Sequence, residues 1–194
     1  MVNLIEGKSQ RKTQYQVDEL FLNRWSSRAF QEKPVPEELL NRILESACWA
    51  PSGNNLQPWR FIVADTKEKL AQFHSFIVPR NMVWCTKAPM LILILSRKTN
   101  EQGDPIRSHS FDAGAAWGTL AIAAAQKGLN TRAMGGFDAA AARSVLHIPE
   151  EYDLHCVVAL GYRAPVDELP EELREREIPT GRRALSDVIV DFQK

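Results

Sequence analysis

Pro51-Ser52-Gly53-Asn54-Asn55-Leu56-Gln57-Pro58-Trp59 stands between a helix and a strand, and its reading decides the fold. Each of its turn formers acts for its own reason: proline presets φ, glycine tolerates positive φ, and serine and asparagine bond their own backbone. The stretch reads as a rigid loop that presents backbone N–H groups and short amides, an edge suited to a planar heterocycle. Before it, Leu39, Leu40, Ile43, Leu44 and Ala47 recur at helical spacing behind Pro36 at N1 and Glu37 and Glu38 in the first turn, where acids suit the helix dipole. That helix stops at Ala50-Pro51, because proline disfavours helical backbone in the residue before it. After the loop, Trp59 to Ala64 reads as a strand.

Working outward, Gln14 to Asn23 is expected as a first helix that delivers the chain to Arg24. Thr66 to Phe76 reads as a capped helix, Arg80 to Lys87 as a short one, and Pro89 to Leu95 as a buried central strand. Ser96 to Ser110 is polar and reads as a lid, with His109 on it as a solvated loop histidine. Asp112 to Gly128 is a helix of small residues, Gly114 and Gly118 among them. It is apolar nearly all round, which implies burial on all sides and packing shared between two chains. Thr131 to Met134 and Leu154 to Gly161 read as strands, with a helix from Ala139 to Leu146 capped by Asp138. Strands mixed with helices without strict alternation make the class α+β, with a central, mainly antiparallel sheet flanked by helices. The chain reads as one domain over 1–194, with 1–13 a flexible extension and 165–194 an arm and tail. The β-branched content of Ala184 to Phe192 is enough to add a strand elsewhere, including to a partner's sheet.

A second segment, Arg24-Trp25-Ser26-Ser27-Arg28, alternates in the way an extended backbone needs to bring Arg24, Ser26 and Arg28 to one face. Two cations and a hydroxyl suit a phosphate monoester, which carries about −1.5 to −2 charges near neutral pH. Alone, the spacing is a weak signal, because solvated arginines near a helix end are common.

Together the two segments resemble the FMN-dependent nitroreductase family, with its Arg-x-Ser-x-Arg/Lys start and its Pro-Ser-x-x-Asn-x-Gln-Pro-Trp loop. Gly135-Gly136-Phe137 and Arg182-Arg183 follow in the same order, so the resemblance runs from about Leu20 to Val190. It implies that Arg24 and Ser26 contact the FMN phosphate and that Arg28 approaches the N1/C2=O edge, where a guanidinium stabilises negative charge. Trp25 belongs to the same cofactor segment and reads as a packing residue. Pro51 and Ser52 would line the ring, Asn55 would bond its pyrimidine edge and Gln57 would brace the loop. Gly135 and Gly136 also fit a turn with positive φ. On the functional reading their missing Cβ atoms let a backbone N–H approach N5, which makes Gly136 and Arg28 the catalytic candidates. A basic pair binds the phosphate in the family, and Arg182 and Arg183 stay open as its register. The resemblance also implies a homodimer whose chains complete each other's pockets.

The balance of the chain supports no rival chemistry. Twenty-four basic and twenty-four acidic residues cancel, so bulk charge favours neither nucleic acid nor an anionic membrane. Apolar runs fall short of the ~20 residues a membrane helix needs, and the N-terminus has no leader pattern. Cys48, Cys85 and Cys156 are odd in number and far apart, which argues against disulfides and structural zinc and fits a cytoplasmic protein. His74, His109, His147 and His155 have no metal spacing, and no Rossmann fingerprint, P-loop or G-x-S-x-G occurs. The expectation is an FMN oxidoreductase using NAD(P)H to reduce an electron-poor acceptor such as a nitroaromatic or quinone. The alternatives are a metabolite-specific reductase or dehalogenase of the same fold, or a non-catalytic FMN-binding relay.

Overall fold

In the computed structural model, which describes residues 4–192, the centre is a four-stranded sheet in the order β1-β2-β4-β3. The strands are β1 (Trp59–Ala64), β2 (Met90–Arg97), β3 (Asn130–Met134) and β4 (Tyr152–Gly161), and every neighbouring pair is antiparallel. Two short helices, α1 (Gly7–Gln10) and α2 (Glu19–Asn23), precede α3 (Glu37–Cys48). The rest are α4 (Lys67–His74), α5 (Pro79–Cys85), α6 (His109–Gln126), α7 (Ala139–Val145) and α8 (Glu171–Arg174).

The apolar run of β2 explains the three layers. Successive side chains of a strand point to opposite faces. Leu91, Leu93 and Leu95 therefore meet Phe73 and Phe76 around α4 and Trp84 and Cys85 of α5, while Met90, Ile92 and Ile94 meet Leu40, Ile43 and Ala47 of α3 and Ala113, Ala116 and Leu120 of α6. With helices on both faces, β2 has no solvent side, hence its unbroken hydrophobicity.

Four expectations change. Gln14 to Val17 is not helical: Asp18 accepts from the Leu20 N–H at 2.8 Å and caps a helix that starts only at Glu19. Within the segment 1–13, Arg11 donates to the carbonyls of Leu22, Arg24 and Thr180 at 2.7, 2.8 and 2.9 Å. The polar stretch after Ser96 is a braced turn in which the Asn100 side chain accepts from the backbone of Gln102 and Asp104. His109 is not solvated there; it is the first residue of α6, and its Nδ1 lies 2.8 Å from the buried Ser96 hydroxyl, which also meets His155 Nε2 at 2.6 Å.

The third and fourth changes of reading concern exposure. Helix α6 is not buried all round: Ala113, Ala116, Leu120 and Ala124 face the sheet, whereas Gly114 and Gly118 are open and Phe111 is 82% exposed. A Cβ added at either glycine would meet nothing within 4 Å. Ala184 to Phe192 forms no strand among the described residues. Leu185–Asp187 is a 3-10 turn, and Val188, Ile189, Val190 and Phe192 are exposed. β-Branched content alone makes no strand without a neighbouring edge to pair with. No helix among the described residues is long and apolar enough to cross a membrane.

Candidate functional site: a cationic cleft beside the β3 edge

Beyond α2 the chain runs extended, and burial alternates along it: Arg24, Ser26 and Arg28 are partly exposed while Trp25 and Ser27 are buried. The three outward residues line a cavity of about 230 Å³ together with Arg11, Arg132, Arg176, Thr180 and Arg182. Burial lowers the pKa of Arg11 and Arg24, and each is lowered further by the positive charge of Arg182, with no carboxylate opposing it. Among the described residues the Arg24 guanidinium has no hydrogen-bond acceptor, and Arg182 donates only to the carbonyls of Thr180 and Gly181. Cations held this close without a counter-charge are a site for an anion with several acceptor oxygens. Arg183 is exposed and does not line this cavity.

A second cavity of about 530 Å³ shares Arg28, Arg132 and Arg176 with the first and continues to Gly135 and Gly136, with Arg80, Asn81, Trp84 and Glu172 around it. Arg132 projects from β3, donates to the Ser26 carbonyl and lies over the Trp84 ring at 5.4 Å. Burial is the largest influence on it and pushes its pKa down to about 10, so it stays protonated at neutral pH. The two glycines do different things. Neither has positive φ, so no left-handed turn requires them. A Cβ on Gly136 would come within 2.8 Å of Asn81 Nδ2 and 2.9 Å of Val78 Cγ2, and its carbonyl accepts from both residues. A Cβ on Gly135 would meet nothing within 4 Å, which leaves room for a ligand beside the backbone.

The Pro51 to Trp59 loop is as rigid as its composition suggests. Asn54, Asn55 and Gln57 sit at φ of 49°, 56° and 46°. Left-handed backbone at such residues costs about 1–3 kcal/mol each and persists only where other bonds hold it. Gln57 Nε2 donates to Asn55 O and Oδ1 at 3.1 and 3.0 Å, the Gln57 N–H reaches Ser52 Oγ, and buried Asp112 of α6 accepts from Gly53. Yet Pro51, Ser52, Asn55 and Gln57 line neither cavity. The loop leads into β1, at one edge of the sheet, while Arg132 stands on β3 at the other. Trp59 lies level with Ser96 and Asp153, and Arg132 with Ala159, so the two are about 20 Å apart along the strands and about 14 Å across them. Within one chain the two predicted halves of the site do not meet.

Sequence reasoning missed Arg11, Arg132, Arg176 and Glu177. Only Arg132 left a trace, a cation inside a five-residue strand. No group of three or more His, Cys, Asp or Glu among the described residues could hold a metal.

The sequence model of the nitroreductase family matches residues 22–81 and 77–162. A protein named NADH dehydrogenase from Thermus thermophilus is 30% identical, over 78% of this chain and 90% of its own. A crystal structure described as an oxidoreductase containing FMN superposes with a TM-score of 0.90 at 38% identity, covering 97% of this chain and 98% of that one. The fold is shared with an iodotyrosine deiodinase bound to FMN and 3-iodo-L-tyrosine, at a TM-score of 0.64 and 23% identity over 90% and 97% of the two chains.

Proposed function

Because this chain belongs to the nitroreductase family, we propose that its paired cavities hold FMN and that it uses NAD(P)H to reduce an electron-poor acceptor, a nitroaromatic or a quinone. The observation that carries the reading is the trio Arg11, Arg24 and Arg182, gathered without a counter-charge in a cavity that shares Arg28, Arg132 and Arg176 with the one beside Gly135. The donor set fits the cofactor: Arg24, Ser26, Arg182 and Arg11 would take the phosphate through charge-assisted bonds, each contributing about 1.5–3 kcal/mol. When bound, FMN supplies reversible hydride exchange at N5. Arg28 and Arg132 place positive charge along the wall between the phosphate end and Gly135, where it can stabilise charge that develops during reduction. Open backbone at Gly135 lets a main-chain donor come close to the ring, while Gly136 keeps α5 packed beneath it.

The loop of Pro51, Ser52, Asn55 and Gln57 reaches such a ring only from another copy of the chain. The reading is therefore a homodimer of one-domain protomers. It places the open face of α6 at the two-fold interface and has the exposed tail, Leu185 to Phe192, cross to the partner. A single pocket for NAD(P)H and acceptor makes them bind in turn, so double-reciprocal plots should be parallel.

Anaerobic titration of the purified protein with NADH and with NADPH tests the function. A yellow protein whose visible flavin absorbance bleaches on addition of either nucleotide supports the enzyme. A yellow protein that neither nucleotide bleaches is a flavin carrier, and a colourless one that FMN cannot reconstitute ends the proposal.

A further inference from the structure

Two segments face each other across the anion cavity, and burial alternates along both. On one, Arg24, Ser26 and Arg28 face the cavity and Trp25 and Ser27 are buried; on the other, Arg176, Ile178, Thr180 and Arg182 line it while Glu177 and Pro179 are buried. The buried rung between them is Glu177. Its carboxylate is fully enclosed and receives the Ser27 hydroxyl at 2.6 Å, the backbone N–H groups of Arg28 and Ala29, and Arg28 Nη1 at 3.1 Å. Consecutive amide N–H groups with a neighbouring hydroxyl form a concavity for an anion, and here the protein fills it with its own. A buried carboxylate is tolerated only when its oxygens are satisfied in this way.

We propose that Glu177 is the positioning residue that latches the C-terminal arm onto the Arg24–Ala29 segment and sets its register, so that arm docking and capture of a phosphate-bearing ligand are one coupled event. Burial alternates from Arg176 to Thr180, so a slip of one residue would turn Arg176 away from the cavity and Glu177 into it. The latch engages one outward side chain, Arg28, through Nη1 and leaves Arg24 and Ser26 to the ligand, since Glu177 otherwise meets the backbone and the buried Ser27 hydroxyl of the segment. Arg11, which donates to the Thr180 carbonyl, is a second tether of the same arm. By linkage, whatever binds the docked arm more tightly also holds it docked.

FMN as the probe rests on the function proposed above; the latch itself needs only an anion. In Glu177→Ala, FMN affinity measured by fluorescence quenching should fall by at least about tenfold, the scale of one charge-assisted bond, while riboflavin, which lacks the phosphate, binds as in the wild type. Glu177→Gln keeps an acceptor oxygen in place and should stay within roughly threefold of wild type. Trypsin, cutting at Arg174, Arg176, Arg182 and Arg183, should open the arm faster in Glu177→Ala, and FMN or pyrophosphate should slow cleavage of the wild type. If Glu177→Ala does not fold, Ser27→Ala removes the hydroxyl donor and should move both readouts the same way. Wild-type FMN affinity in the variants, equal losses of FMN and riboflavin, or a glutamine variant as weak as alanine would each overturn the latch. Failure of FMN to bind, with pyrophosphate still protecting the wild-type arm but not the Glu177→Ala arm, would remove the cofactor assignment and leave the latch standing.

Discussion

Gly118→Leu should change sign according to what covers α6. In a lone chain the open position of Gly118 leaves room for a side chain, and replacing glycine by a good helix former gains about 0.8–1 kcal/mol. For a domain of this size that raises Tm by roughly 2–4 °C. If the Phe111–Gly114–Gly118 face packs on its symmetry mate, the added leucine is forced into a filled space at about 1–3 kcal/mol. Two-fold symmetry doubles this to about 2–6 kcal/mol per dimer, a weakening of roughly 30-fold to over 10⁴-fold in dimer Kd. Sedimentation equilibrium across a range of concentrations, run beside thermal unfolding of the same samples, reads both quantities. The expected outcome is a folded, concentration-dependent monomer–dimer mixture with reduced flavin content. An unchanged dimer mass with Tm raised by a few degrees would show that this face is free and would refute the placement of the interface.

Arg24→Ala should weaken FMN by about 10- to 150-fold, the equivalent of about 1.5–3 kcal/mol, without affecting riboflavin, as read by quenching titration. Gly136→Ala should lower stability by about 1–3 kcal/mol by overpacking against Asn81 and Val78, whereas Gly135→Ala should leave the urea midpoint unchanged and disturb only flavin binding. Burial lowers the pKa of His74 and of His155, the latter also lowered by His109. Between the folded pKa and about 6.5 the unfolded chain binds more protons. Stability should therefore be held above that window and fall as pH drops through it; His74→Gln should flatten the fall, and urea midpoints at a series of pH values check this.

The elements with a clear period were legible. The apolar spacing of α3 and the run of β2 left one physical solution each, and Trp59–Ala64 matches its expected bounds because rigid turn formers stop it on one side and the Thr66 cap follows on the other. Before α2, the apolar Val17 has the spacing of a helix face but is exposed, and the Asp18 carboxylate starts the helix by capping it. Of the cavity, the alternating Arg24, Ser26 and Arg28 could be read locally. Arg132, Arg176 and Glu177 could not, since nothing in the sequence distinguishes a buried glutamate in Glu175-Arg176-Glu177 from the solvated charges around it. Only the tertiary path of the arm makes that difference. The history of His109 is similar: a polar neighbourhood suggested solvent, whereas the hydroxyl it meets lies thirteen residues away on β2.

The separation of the Pro51–Trp59 loop from the arginine cluster has a genetic consequence if the chains pair as proposed. A lesion at Arg24 and a lesion at Asn55 would then damage the same site only when they sit on opposite chains. Co-expressed, the two inactive proteins would form mixed pairs in which one site collects both defects and the other collects none. Activity would reappear from two dead alleles, and such complementation between alleles would need neither recombination nor any change of sequence.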